Sequence, residues 1–418
     1  MKMSIIQELT LCSLLFLFWL QAPAIAMETR FNGTIETYGA GYTQHKSGSE
    51  DLYGDLHVKP WLTLIHDDQL LALVSLDLRQ DTAGYTQGFV NPLPDRESRR
   101  ATIEAREVYL EYSPPGVRLR AGIQIFDWSV TDTVSPADSL SPRDWTDMIR
   151  WERRSLPSVD LRIGTDTFVE GALIPFFVPS RLPTPGSRWE RSLQPGARYG
   201  STEYPSSITP QFALRSGTAT NGFDLGASFF HGYSFSPFWK PEIINTGIIL
   251  HPVYRLENVY AVSAAKEIAG FNARLEIGHF DQHKADDFTQ FVIGIDREFG
   301  NIQRPGDSLY LLLQYVYEYV WKKETPFGVN AIDLRRVFKR SVMGKMKYGL
   351  DDSREWSTKL EGSYNFEKMD SYIQPAVVWK RGNMEVEAGF DLFYGTTDSF
   401  FGGYGQNDRG YVKARYMF

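Results

Sequence analysis

Several segments of this 418-residue chain alternate apolar and charged or polar residues over about 9–13 positions, which strongly limits the folds available to it. In Val117–Ile125, the aliphatic residues share one face of an extended strand, and arginine, glycine and glutamine share the other. The pattern recurs in Leu52–Leu64, Phe271–Ile277, Trp356–Phe366 and Met384–Leu392. Strands of soluble sheets usually have ~5–6 residues, whereas a tilted strand that crosses a bilayer needs ~9–11. The charged faces must meet water, and the apolar faces must meet lipid or a second sheet.

The sequence predicts an all-β fold, a transmembrane antiparallel up-and-down β-barrel of about 18 strands, with 16 as the alternative. An even number returns both ends of such a barrel to the same side of the membrane. Besides the five segments above and the C-terminal segment, the predicted strands are Thr29–Tyr42, Gln69–Gln80, Thr102–Tyr112, Val159–Thr165, Thr167–Phe176, Gln211–Arg215, Gly222–His231, Val253–Lys266, Phe288–Phe299, Ser308–Val320, Arg336–Tyr348 and Ser371–Lys380.

Composition agrees with a barrel. The mean hydropathy is −0.31, and no stretch after residue 26 is apolar for long enough to form a transmembrane helix. Barrel strands average out to polar because they alternate between lipid and lumen, and the 14% aromatic content suits girdles at two interfaces. An aromatic-rich soluble β protein, such as a sugar-binding sandwich, is the alternative. The net charge of −7 gives no basic excess, so nucleic acid is not expected as a partner.

The N-terminal residues have the composition of a secretory signal peptide. Lys2 supplies the positive region, Leu11–Leu20 is apolar but too short to span a bilayer, and Ala24-Ile25-Ala26 is a small-x-small cleavage site. We therefore predict a signal peptide over residues 1–26 and a barrel over residues 27–418, exported to the bacterial outer membrane. The single cysteine, Cys12, lies in the predicted signal peptide. Leu11 precedes it where a lipoprotein site needs a small residue, so no lipid anchor is predicted.

The C-terminal segment Asp408–Phe418 alternates in the same way. Val412, Ala414, Tyr416 and Phe418 share one face, and the other face carries Lys413 and Arg415 among its residues. A strand that ends on an aromatic residue resembles the C-terminal β-signal of bacterial outer-membrane barrels, which the barrel-insertion machinery reads. The resemblance implies that Tyr416 and Phe418 belong to an insertion signal, with the insertion machinery, outer-membrane lipid and lipopolysaccharide as partners.

Two long segments, Asp127–Pro157 and Val178–Pro210, interrupt the strand pattern. Long loops without strand pattern are usually functional or disordered. The first segment carries several tryptophans and many charges, which a solvated surface loop seldom keeps. We predict that it folds into the barrel and narrows the lumen, with a packed extracellular loop as the alternative. The candidate lumen and constriction residues in this segment are Trp128, Trp145, Arg143, Arg150, Arg153, Arg154, Asp138 and Asp144.

A motif at the start of the first long segment is similar to one in porin-like outer-membrane barrels. It comprises Arg120–Trp128, with the pattern R-x-G-x-Q before a Trp, and Pro136–Asp144, with the pattern P-x-D-x-L-x-P-R-D. Many members of that family have no assigned function, and alginate-export barrels resemble them distantly. Ser129 stands where the family has glycine after the Trp. The resemblance implies an outer-membrane location and a channel or transport role, without a substrate.

Strand arginines complete the set of candidate lumen residues. Arg118, Arg120 and Arg274 would attract anionic or polyhydroxylated solutes if they line the lumen. Alternatively they pair with Glu104, Glu107 and Glu276 as ordinary wall residues.

A porin or channel for small polar or anionic solutes through a charged, loop-constricted lumen is therefore the favoured function. An export conduit for a polysaccharide, a sheath for an electron-transfer partner and a rim-active outer-membrane hydrolase are the alternatives. The sequence contains no recognisable nucleophile motif, so we predict no enzyme and assign no catalytic residue and no cofactor. A metal at His279 and His283 is disfavoured, since both lie in a predicted loop.

Overall fold

The computed structural model describes residues 27–193, 195–324, 335–350, 353 and 355–418, so the predicted signal peptide lies outside the described residues. Within these ranges, 18 strands form a closed antiparallel ring in which each strand pairs with the next and the last pairs with the first. This confirms the predicted barrel and its strand number.

In chain order the strands are β1 (Glu28–Tyr42), β2 (Leu52–His66), β3 (Leu70–Asp81), β4 (Val90–Asn91), β5 (Ile103–Tyr112), β6 (Val117–Gln124), β7 (Arg143–Asp144), β8 (Glu152–Arg153), β9 (Leu156–Gly164), β10 (Thr167–Phe176), β11 (Ala197–Tyr199), β12 (Ile208–Thr220), β13 (Phe223–Tyr233), β14 (Phe238–Ile244), β15 (Gly247–Val253), β16 (Leu256–Ile268), β17 (Phe271–Gln282), β18 (Asp287–Gly300), β19 (Ser308–Lys322), β20 (Ser341–Gly349), β21 (Trp356–Asn365), β22 (Asp370–Arg381), β23 (Met384–Tyr394) and β24 (Arg409–Met417). Six of these are short elements of the connections and not members of the ring, namely β4, β7, β8, β11, β14 and β15.

The two faces of each barrel strand differ as the alternation predicts. Outward-pointing aliphatic residues are exposed on the isolated chain, with Leu313 and Val412 both at 54% exposure. Their inward-pointing neighbours Gln314 and Tyr411 are buried at 1% and 5%. An apolar outer surface combined with a polar interior is the distribution that a membrane barrel requires. Among the described residues, no helix is long and apolar enough to cross a bilayer.

The barrel has a turn end and a loop end. At the turn end, tight turns join the strands; Asn221 and Gly222 both have positive φ, 51° and 74°, as the two central residues of a type I′ turn require. At the loop end, longer connections join β3 to β5, β6 to β9, β10 to β12 and β13 to β16. A 3-10 helix, Gly402–Asn407, lies in the connection from β23 to β24. The connections that fold into the lumen therefore enter it from the loop end.

The ring closes where the last residue pairs with β1. The N–H of Gly33 donates to the Phe418 carbonyl and the N–H of Phe418 donates to the Gly33 carbonyl, both at 3.0 Å. The Phe418 ring covers Gly33 so closely that a Cβ on Gly33 would lie 2.3 Å from the ring. Phe418 also contacts Phe31, with ring centroids 5.7 Å apart. Glycine at position 33 thus leaves room for the tip of the terminal ring at the outer surface of the seam.

We expect Gly33→Val to destabilise this seam by ~1–3 kcal/mol, because the added side chain overpacks against the Phe418 ring. Gly39→Val is the matched control, since Gly39 lies in the same strand and a Cβ there has no atom within 4 Å. The measurement is the temperature at which the folded barrel loses its compact mobility in unboiled detergent gels. Equal temperatures for the two variants would contradict the role given to Gly33.

Several predicted strands have different bounds in the structure, and two of them show the reasons. Gln211–Arg215 is the centre of a longer strand, Ile208–Thr220, whose Pro, Gly, Ser and Thr residues weaken the apolar pattern at both ends. The predicted Arg336–Tyr348 begins at Ser341 instead, because residues 335–340 form turns. The three-stranded sheet of β11, β15 and β14 at the loop end was not predicted.

Candidate functional site

The connection between β6 and β9, residues 125–155, folds into the barrel and is called the inner loop below. Counting around the ring from β1, β6 is the fifth of the 18 strands, β17 is the eleventh and β19 is the thirteenth. Hydrogen bonds join the inner loop to inward-pointing side chains of β17 and β19, so the loop crosses the lumen to the opposite wall. This confirms the prediction that a long loop folds into the lumen.

Glu276 of β17 holds the far end of the inner loop. Its carboxylate accepts hydrogen bonds from the backbone N–H groups of Val130 at 2.6 Å, Thr131 at 2.8 Å and Ala137 at 3.1 Å. The Ser135 hydroxyl donates to the same carboxylate at 2.7 Å. Glu276 is completely buried. A buried carboxylate needs such donors, and here the donors all belong to the loop.

Gln314 of β19 and an apolar contact support the same part of the loop. Gln314 Oε1 accepts from the N–H groups of Asp132 and Thr133, both at 3.2 Å, and its Nε2 donates to the Val134 carbonyl at 3.0 Å. The Val134 side chain packs in a buried cluster with residues of three strands, namely Val292, Val316 and Met343. The opposite wall thus presents hydrogen-bonding and apolar groups that match residues 130–137 of the inner loop.

A second group of contacts fixes the inner loop to β1, β2, β23 and β24. Asp147 receives the fully buried Arg409 guanidinium at 2.8 Å, and Arg409 also pairs with Asp391 at 2.7 Å. Arg150 pairs with Asp55 at 2.6 Å, and its guanidinium lies 3.7 Å from the centre of the Tyr38 ring. Burial acts to raise the pKa of Asp147, but Arg409, Arg150 and the Ile149 N–H together outweigh it and hold the pKa below its ordinary value. The inner loop is therefore attached to two parts of the barrel wall, to β17 and β19 and to the strands around the β24–β1 closure.

A third attachment surrounds Glu152 of the inner loop. Its carboxylate contacts Lys59 at 2.9 Å, Arg79 at 3.3 Å and Arg106 at 3.4 Å. Glu152, His57 and Asp77 place one potential ligand atom each within 4.8 Å of one another. The neighbouring cations already neutralise both carboxylates, so we assign this cluster to holding the loop and not to a metal.

The second long segment also packs inward, against the inner loop. Arg181, buried at the loop end, pairs with Asp144 at 2.9 Å and with Glu104 at 2.8 Å. Backbone hydrogen bonds join Trp145 N–H to the Arg181 carbonyl at 2.7 Å and Arg181 N–H to the Arg143 carbonyl at 2.8 Å. The two long connections thus form one packed unit inside the loop end of the barrel.

An open space of about 790 Å³ remains between the inner loop and the wall formed by β19–β24. Four of the residues predicted from sequence border this space, called the pathway below: Asp138, Arg143, Trp145 and Arg150. The charged residues that sequence reasoning missed are Asp132, Arg335, Lys345, Lys359, Glu361, Glu387, Asp391 and Lys413. Several of these wall residues lie on the charged faces of predicted strands. Nothing in the sequence indicates which charged faces border the space left by the loop.

Most of the accessible charges of the pathway are cations. The side chains of Arg143, Arg150, Arg335, Lys345, Lys359 and Lys413 are 14–43% exposed. By contrast, Asp138, Glu387 and Asp391 are at most 6% exposed, since they lie behind the cations with which they pair. Asp132 and Glu361 are the exposed acids, at 44% and 30%. A solute in the pathway therefore meets more positive than negative charge.

The other predicted residues lie away from the pathway. Arg118 pairs with Asp160 at 3.0 Å and Arg120 with Glu111 at 2.6 Å near the turn end, and Arg274 pairs with Asp132 and Asp296. These acids are not the three that the alternative interpretation paired with the arginines. Four of the remaining residues stabilise the inner loop: Arg153 pairs with Asp127 and Asp138, Arg154 with Asp95, Asp144 with Arg181, and Trp128 packs on Phe126. Tyr416 and Phe418 point outward at the seam.

No family model matches this chain, and no curated protein sequence matches it. Solved structures do resemble it over nearly its full length. A BenF-like porin from Pseudomonas fluorescens Pf-5 aligns with 94% of this chain and 98% of its own, with a TM-score of 0.52 and 8% identity. OpdK of Pseudomonas aeruginosa, solved with vanillate, aligns with 94% of this chain and 98% of its own, with a TM-score of 0.51 and 9% identity. OccD3 (OpdP) of Pseudomonas aeruginosa covers 93% and 91%, with a TM-score of 0.50 and 10% identity. At these identities the likeness establishes the barrel fold alone.

Proposed function

We propose that this protein is a porin-like channel of the bacterial outer membrane that passes small polar or anionic solutes through a lumen constricted by the inner loop. The observation that carries the proposal is the open pathway beside the inner loop, whose accessible charges are mainly cationic. A closed barrel of this size leaves an aqueous lumen unless something fills it. Outer-membrane lipid, lipopolysaccharide and the barrel-insertion machinery are the partners that this proposal implies.

The size of the pathway favours small solutes over a protein partner. A volume of about 790 Å³ lies within the ~300–1,000 Å³ that small-molecule sites occupy. A sheath around a folded electron-transfer protein needs a far wider lumen than the inner loop leaves. The small-solute channel is therefore the function that we carry forward.

The test is conductance of the purified barrel in planar bilayers, with the reversal potential measured in a KCl gradient. We expect discrete channels with a preference for chloride. Liposome swelling should be faster with vanillate, the molecule named with OpdK, than with vanillyl alcohol, which differs mainly by lacking the negative charge. A folded barrel that inserts but passes no current would contradict the proposal.

We expect the double variant Lys345→Gln, Lys413→Gln to lose much of the chloride preference. Each lysine contributes an accessible charge to the pathway, and an interaction of ~1 kcal/mol per nearby ion corresponds to about fivefold in local ion concentration. Lys240→Gln is the control, because Lys240 lies in β14, pairs with Glu203 and does not border the pathway. An unchanged reversal potential in the double variant would show that these lysines do not contribute to the chloride preference.

A further inference from the structure

A second cavity, of about 200 Å³, lies at the loop end and is called the outer cavity below. Two aromatic pairs form much of its wall. Tyr199 of β11 and Trp239 of β14 have ring centroids 5.1 Å apart, and Tyr204 stacks on Tyr254 at 5.5 Å with an angle of 16° between the rings. The small sheet at the loop end positions the first pair, since β15 pairs with both β11 and β14. The outer cavity thus offers flat apolar surfaces to a ligand.

The charged residues that border the outer cavity are three arginines and two glutamates, and one of the arginines, Arg181, is neutralised by Asp144 and Glu104. The other two arginines and the two glutamates line the cavity as sequence neighbours, Arg96 beside Glu97 and Glu190 beside Arg191. Such a set provides donors and acceptors side by side. A hydroxyl group, which donates once and accepts twice, can use both, whereas a net charge of either sign would meet repulsion from one partner.

The outer cavity lies directly beside the pathway. Met148 of the inner loop and Ser180 border both spaces. Its volume is below the ~300–1,000 Å³ of sites for whole drug-sized ligands, so it suits one ring of a larger solute. A molecule held there would be adjacent to the loop-end entrance of the pathway.

We propose that the outer cavity binds a pyranose ring of a neutral saccharide. The apolar faces of the sugar would lie against the aromatic side chains, and its hydroxyl groups would bond to the adjacent arginines and glutamates. This site goes beyond the proposed channel function, and its occupancy does not depend on conductance.

Isothermal titration calorimetry of the purified, folded barrel in detergent tests this proposal. The probes are maltotriose, cellotriose and N,N′,N″-triacetylchitotriose, which differ in linkage and substituents but are all neutral. We expect at least one to bind, and Trp239→Ala to weaken its binding about tenfold, which is about 1.4 kcal/mol. Trp239→Phe keeps an aromatic face and should retain most of the affinity.

Trp321→Ala is the matched control, because Trp321 is 65% exposed near the same end of the barrel and does not line the outer cavity. Its sugar affinity should equal that of the unchanged protein. The proposal is overturned if none of the three trisaccharides binds, or if Trp239→Ala and Trp321→Ala bind sugar equally. It is also overturned if vanillate binds in a Trp239-dependent manner while the sugars do not.

Discussion

Deletion of Asp132–Trp151 is expected to raise the single-channel current several-fold. These residues form most of the inner loop that borders the pathway, and an 18-strand barrel without an inner obstruction has a wide aqueous lumen. The deletion also removes Arg143 and Arg150 from the pathway, so the chloride preference should fall as the current rises. Both quantities can be read from the same planar-bilayer recordings.

The control for this deletion is a replacement of Phe238–Val253 by a short flexible linker. That segment has a similar length, lies at the same end of the barrel and does not border the pathway. Its removal should leave the current unchanged. If a folded barrel lacking Asp132–Trp151 conducts no better than the control, the inner loop does not limit the flow of ions.

We expect Glu276→Ala to release the far end of the inner loop and to produce a larger and noisier current. Three backbone N–H groups and the Ser135 hydroxyl would lose their common acceptor. Hydrogen bonds to a charged group contribute ~1.5–3 kcal/mol each, so the loss exceeds what the remaining contacts of Gln314 and Val134 can replace. Hydrogen exchange at the amides of residues 130–137 should increase strongly.

A graded series separates this role from a general effect on the barrel. Glu276→Gln keeps one acceptor oxygen for Val130 and Thr131 but loses the acceptor for Ala137, so its effect should be intermediate. Glu385→Ala is the control, because Glu385 is also a strand carboxylate but contacts Arg415 and not the loop. Unchanged exchange at residues 130–137 in Glu276→Ala would show that the other contacts suffice to hold the loop.

The barrel could be predicted from the sequence because its main constraint is local. Alternation within Val117–Ile125 or Met384–Leu392 is visible along the chain, and it requires no knowledge of which strand lies next to which. The least periodic strand, Ile208–Thr220, was recognised only at its centre. The sheet of β11, β14 and β15 was missed because its strands are short and come from two separate connections, each interrupted by Pro and Gly residues.

The candidate site was harder to predict because it depends on contacts between distant parts of the chain. Tryptophans and charges in Asp127–Pro157 were enough to predict a loop inside the lumen. Which residues border the remaining space is decided by how the loop lies against the opposite wall. One of the two interpretations of the strand arginines pairs Glu276 with an arginine, yet its partners are mainly backbone N–H groups, which no residue pattern identifies.

The attachment of the inner loop on both sides of the barrel has a mechanical consequence. A ring that is one sheet thick deforms most easily by flattening into an oval. Contacts from Glu276 on one side and Arg409 on the other make the inner loop a strut near the widest diameter, and a strut resists that flattening. The cross-section of this barrel should therefore vary less with lateral pressure or bilayer thickness than that of a barrel whose inner segment is fastened on one side.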